Sequence, residues 1–111
     1  MQGDWRVTKF TEITGPNNQG HNVKWFQGVR VKGDDLCYLV NNQEQQHMRI
    51  VLGSSRPVTI DFMMGGKDPN MIGIVRRRGS RMDILYYSAG VARATSFENI
   101  PLSWWLLELE R

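Results

Sequence analysis

Apolar and polar side chains alternate along most of this chain, and a period of two marks strands with one buried face. Val23, Trp25, Gln27, Val29 and Val31 share one face of a strand, opposite Lys24, Phe26, Gly28, Arg30 and Lys32. Met48, Ile50 and Leu52 alternate with His47, Arg49 and Val51, and Val58, Ile60 and Phe62 alternate with Thr59 and Asp61. Leu36 to Val40 and Met71 to Arg76 read as further strands. Met82, Ile84 and Tyr86 face away from Asp83, Leu85 and Tyr87. In the last strand Trp105, Leu107 and Leu109 alternate with Leu106, Glu108 and Glu110. Trp5 and Val7 open the first strand, but Phe10 and Ile13 are out of step with them, which predicts a bulge near Thr8 and Lys9.

Turn residues separate these runs. Gly15-Pro16-Asn17-Asn18-Gln19-Gly20, Gly33-Asp34-Asp35, Gly53-Ser54-Ser55-Arg56-Pro57, Gly65 to Asn70 and Gly79-Ser80 concentrate residues that pre-set turn dihedrals or tolerate positive φ. The polar tract Asn41 to Gln46 reads as loop, and Ser88 to Pro101 as irregular chain with one short turn of helix near Ala89 to Arg93. The pattern predicts an all-β domain over residues 1–111: a small eight-stranded antiparallel up-and-down barrel, closed so that no sheet edge is exposed. A barrel of this size is either filled by its own side chains or holds one small molecule.

Composition adds limits rather than a function. At 111 residues the chain has room for one core, and its 41% hydrophobic and 23% charged residues are those of a folding globular sequence. No apolar stretch is long enough for a membrane helix, so no membrane partner is expected. A net charge of +3 permits anionic partners, but it is far from the dense positive charge of a dedicated nucleic-acid binder, and nucleic acid is not expected. Cys37 is the single cysteine, so no internal disulfide forms. Met1 to Arg6 has neither the basic start nor the apolar run of a secretory signal, and the expected location is the cytoplasm.

Met1-Gln2-Gly3-Asp4-Trp5-Arg6-Val7 resembles the Gly-x-Trp opening of lipocalin-like barrels. That opening is followed by Gly33-Asp34, Arg56-Pro57-Val58-Thr59-Ile60-Asp61-Phe62, Met71-Ile72-Gly73-Ile74, Ala92-Arg93-Ala94-Thr95-Ser96-Phe97 and Leu107-Glu108-Leu109-Glu110-Arg111. In this order, over nearly the whole chain, the segments are similar to an uncharacterised small domain that recurs in planctomycete bacteria. The resemblance implies a lipocalin-like fold and no activity. This chain departs from the pattern at Ala94, where proline is usual, and at Tyr86 and Tyr87, in a strand that usually carries a cysteine. The lipocalin likeness also implies that Trp5 closes one barrel end, with Arg111 from the last strand across it.

The candidate chemistry is sparse. No nucleophile elbow, phosphate loop or Ser/His/Asp order is present, so the expectation is a non-enzymatic protein without cofactor. His21 and His47 lack partners at a recognisable metal spacing, and no metal site is expected. Asp34 and Asp35 are explained by a turn, and Asp61 and Asp83 by outer strand faces. Three sites compete with their structural readings. Trp25, Phe62 and Met82 line either a packed core or a cavity for a small apolar or amphipathic ligand. Arg76, Arg77, Arg78 and Arg81 crowd one hairpin, where they either bind an anion or simply keep a sheet end solvated. Trp104 and Trp105 are adjacent and must point to opposite faces; an outward Trp104 beside Leu106 would form an apolar patch for a partner or for homo-oligomerisation.

Overall fold

The structure, a computed structural model, describes residues 1–111. Nine strands and no helix make up the chain: β1 (Gly3–Ile13), β2 (Gly20–Asn22), β3 (Gly28–Lys32), β4 (Asp35–Val40), β5 (Gln43–Leu52), β6 (Val58–Met63), β7 (Met71–Arg78), β8 (Arg81–Ser88) and β9 (Trp105–Glu110). All pairings are antiparallel, and β1 closes the sheet by pairing with both β3 and β9. β1 and β3 to β9 therefore form a closed eight-stranded barrel, with β2 as an extra strand on the end of β1. No helix is long and apolar enough to cross a membrane.

The change of phase in β1 is the expected bulge. The β1–β9 register shifts between Val7 and Lys9, and the Thr8 hydroxyl, left out of the ladder, donates to the Glu108 carbonyl at 3.0 Å. The extra residue lets both Trp5 and Phe10 face inward although five positions separate them. It also divides β1 between its partners: Gly3 to Arg6 pair with β3, and Arg6 to Glu12 with β9.

Three segments differ from the sequence reading. Val23 to Gln27 is not strand; after β2 the chain crosses the barrel end, tied by the Val23 amide to the Phe10 carbonyl and the Gln27 amide to the Leu39 carbonyl. Gln43 to Gln46 is strand rather than loop, because Asn41 and Asn42, with φ of 52° and 64°, make a two-residue hairpin turn of the primed kind. This part of β5 pairs with β4 alone, since β6 reaches only Arg49 to Leu52; both its faces meet water, which is why its sequence is polar without alternation. Ala89 to Arg93 contains no helical turn. Arg93 instead reaches into the sheet, donating to the Ile60 and Gly73 carbonyls at 3.1 and 3.0 Å and to Asp61 Oδ1 at 2.7 Å.

Two apolar clusters result. The lumen is filled by inward side chains of every barrel strand, among them Trp5, Val29, Leu36, Met48, Ile60, Phe62, Met82, Ile84 and Leu109. A second cluster lies outside the wall, where Ala94, Phe97 and Ile100 cover Ile72, Ile74, Leu85 and Trp104. Trp5 closes one end. It is 1% exposed, its indole N–H donates to the Met1 carbonyl at 2.9 Å, and the guanidinium groups of Arg111 and Arg77 lie 4.5 and 5.4 Å from its ring. Arg111 also donates to the Gln2 carbonyl, tying the two chain ends together.

Candidate functional site

The opposite end of the barrel is open. A cavity of about 230 Å³ is lined there by Phe10 of β1, Val23 and Trp25 of the crossing segment, Tyr38 of β4, Gln46 of β5, Met64, Met71 of β7, Tyr86 of β8 and Trp105 of β9. Five of the barrel strands, β1, β4, β7, β8 and β9, contribute an inward aromatic or methionine position at this end, as the period of two dictates. The crossing segment contributes because it spans the mouth. Its anchor is Phe26, which is buried and stacks on Tyr38 at 4.0 Å between ring centroids. Phe26 thereby lifts its neighbour Trp25 to the rim, half exposed, with its ring edge-on to Tyr38 at 5.1 Å.

The floor is rigid and aromatic. Tyr86 packs against Phe62 at 5.2 Å and Trp105 at 5.5 Å, all three beneath or beside the cavity. Gly73 stands opposite Tyr86 on β7, and a Cβ there would come within 2.9 Å of the Tyr86 Cβ, so the glycine makes the room in which Tyr86 sits. Burial raises the pKa of both Tyr38 and Tyr86, and the interaction between their hydroxyls holds Tyr38 down while pushing Tyr86 further up. Both therefore keep their protons at neutral pH. The lining side chains carry two phenol hydroxyls, two indole N–H groups and the Gln46 amide as polar groups, with no carboxylate, lysine or arginine. Such a surface can hold an apolar body and orient one or two polar atoms on it.

Of the residues singled out for ligand contact, Trp25 lines this cavity. Phe62 and Met82 do not. Phe62 is buried under Tyr86, and Met82 lies in the packed lumen towards the closed end, where it lines a separate cavity of about 360 Å³ with Met1, Val75 and Arg77. The lining residues Phe10, Val23, Gln46, Met64 and Tyr86 escaped the sequence reading as site residues. The one signal in the sequence was the density of aromatic and methionine residues in the segments that meet at this end.

The arginine hairpin is largely engaged within the chain. Asp83 is on the outer face as expected but is not solvated: it is 3% exposed, receiving Arg76 Nε at 2.8 Å and Arg78 at 3.4 Å. Arg76 also lies over the Phe97 ring at 4.2 Å, and Arg77 lies against Trp5. Trp104 points outward, but it is 3% exposed, stacked on Tyr87 and covered by the segment that carries Phe97 and Ile100; Leu106 beside it is half-buried. The expected open patch is therefore covered by the chain itself. The covering was legible in the spacing of Ala94, Phe97 and Ile100, three apolar residues in a stretch read as irregular.

On another part of the wall a chain of charges crosses β1, β3, β4 and β5. Arg30 bridges Asp4 and Glu44 at 2.8 Å each, and its hydrogen bonds hold both carboxyls below their usual range. Glu44 also meets His47, whose other nitrogen lies 2.9 Å from Asp35; that hydrogen bond raises the His47 pKa. The Cys37 thiol adjoins this pair, and burial raises its pKa, with Glu44 and Asp35 pushing the same way. Asp35, Cys37 and His47 are the residues whose donor atoms are close enough together to hold a metal ion. Compared with family models, curated proteins and solved structures, the chain matches none.

Proposed function

We propose that this domain is a non-enzymatic binder of a small apolar or amphipathic molecule, held at the open mouth of the barrel rather than deep in its lumen. The observation that carries the reading is the mouth cavity itself, where all the lining residues except Gln46 are hydrophobic, and half-exposed Trp25 and Met64 form the rim. Large apolar groups left facing water around a concavity mark ligand sites in soluble domains. The volume of about 230 Å³ lies below the range for drug-sized ligands, so the ligand is the size of one aromatic ring system or a short aliphatic chain. A ligand hydroxyl or carbonyl then bonds to Tyr38, Tyr86 or Gln46. The Gly3-Asp4-Trp5 opening and the Arg111 contact with Trp5 support a lipocalin-like reading of the barrel, and the single cysteine supports a cytoplasmic location.

Isothermal titration with p-cresol, indole and 1-hexanol tests this. At least one of them is expected to bind saturably at one site, and Trp25→Ala to weaken it about tenfold, the loss of one aromatic contact plus its buried area. Absence of saturable binding by all three, or equal affinity for the Trp25→Ala protein, overturns the reading.

A further inference from the structure

The register that sets β4 against β5 places His47 opposite Cys37, with Asp35 two residues earlier on the same outer face of β4. This arrangement depends on a bulge. Between Cys37 and Tyr38 the register shifts by one, so Gln46 is left without a partner. Counted from the hairpin turn at Asn41 and Asn42, an unbulged ladder would set Gln46 opposite Cys37 and turn His47 to the other face of the strand. Gln46 accommodates the bulge with a φ of 44°, a left-handed conformation that side chains other than glycine and asparagine seldom adopt. Bulges and left-handed residues gather where a strand must re-aim a side chain at a site. Here the side chain re-aimed is an imidazole, and it is aimed at a thiol and a carboxylate.

The donor atoms of the three residues all lie within 4.8 Å of one another. Zinc bond lengths and a tetrahedral angle put neighbouring ligand atoms about 3.4 to 3.6 Å apart, so the cluster needs adjustments of a fraction of an ångström to about one. The parts that must move can do so: the His47 and Asp35 side chains are 51% and 44% exposed, whereas Cys37 is fixed in the sheet. We propose that Asp35, Cys37 and His47 bind a divalent transition metal of zinc's class. A thiolate and an imidazole select such an ion over calcium or magnesium, which take oxygen ligands. Three protein ligands leave a fourth position for water, and the Glu44 carboxylate, 3.2 Å from His47 Nε2 and held in place by Arg30, is the outer partner that orients the imidazole. This site lies on the outer wall and is independent of the mouth cavity.

The experiment is a titration of the reduced, chelator-washed protein with Co²⁺ and then Zn²⁺. A thiolate-to-cobalt charge-transfer band is expected to saturate at one equivalent and to vanish when Zn²⁺ displaces the cobalt. Cys37→Ser removes the band. Because that thiol is buried, His47→Gln is the second variant: its side chain is exposed, its fold is checked by circular dichroism, and its Zn²⁺ affinity is expected to fall by more than about 100-fold. Glu44→Gln costs about tenfold, as the loss of an outer partner does, and His21→Gln changes nothing. No charge-transfer band, or a Zn²⁺ affinity unchanged in folded His47→Gln protein, overturns the proposal and leaves Asp35, His47 and Glu44 as a surface ion-pair chain.

Discussion

Trp5→Ala is expected to lower the unfolding free energy by about 3 to 5 kcal/mol, a large part of the total for a domain of this size. Three losses coincide. The ring is 1% exposed and plugs the closed end of the lumen, so truncation leaves a cavity that the surrounding barrel strands cannot collapse into. The hydrogen bond from the indole to the Met1 carbonyl disappears, and with it the anchor of the N-terminus. Arg77 and Arg111, which now lie against the ring, would face each other as like charges without it. Urea unfolding of the two proteins measures this, with an unchanged slope as the sign that only stability has moved. Arg111→Ala, by contrast, is expected to cost about 0.5 to 2 kcal/mol, since the ring stays in place. A Trp5→Ala loss no larger than that of Arg111→Ala would mean that the plug is not what closes this end.

Gly73→Ala is expected to destabilise the barrel wall, because the added methyl group runs into the backbone of the neighbouring strand. Its Cβ would stand 2.2 Å from the Leu85 carbonyl oxygen and 3.0 Å from the Tyr86 Cα, so β7 and β8 must separate locally. Overpacking of this kind costs about 1 to 3 kcal/mol, and backbone partners give less than a flexible side chain would. The consequence for the site is specific. Tyr86 fills the floor of the mouth only because Gly73 has no side chain, so the variant displaces Tyr86 and is expected to weaken p-cresol binding as well as stability. Thermal unfolding and a repeat of the p-cresol titration on the folded variant check the two effects separately. Unchanged stability would show that the strands part easily here, against the packing described for the lumen.

Most of the barrel was legible because its inward positions obey a period of two and its turns carry Gly, Asn and Pro where positive φ or fixed φ is needed. The bulge in β1 was legible as a break in that period between Val7 and Phe10. Where periodicity carries no information the reading failed. Gln43 to Gln46 is polar on both faces because only β4 pairs with it, and a strand without a buried face looks like a loop. Val23 and Trp25 alternate like a strand, but they lie opposite the bulged part of β1, where the segment is tied only at its ends, by the Val23 amide to the Phe10 carbonyl and by the Val7 amide to the Gln27 carbonyl. Asp83 was placed on an outer strand face, but its burial there was not legible, because its arginine partners, five and seven residues away, meet it only through the β7–β8 hairpin.

The candidate sites were less legible than the fold, for a related reason. A barrel mouth is a ring of residues at one height drawn from several strands, and height depends on register, which one-residue bulges reset. Met64, Met71 and Tyr86 could not be grouped without it. Cys37 and His47 are ten positions apart with no motif between them, and only the bulge at Gln46 places them side by side.

A small ligand at the mouth, above a lumen that is already full, would touch one set of side chains and leave another untouched. The six methionines are suited to test it, since Met64 and Met71 line the mouth, while Met48 and Met82 lie in the packed lumen. Methyl NMR spectra of the methionine-labelled protein would be recorded while indole is added. The prediction is that Met64 and Met71 shift in a saturable manner while Met48 and Met82 stay where they are. Saturable shifts at Met48 or Met82, with the mouth methyls still, would place the ligand in the lumen and contradict the account.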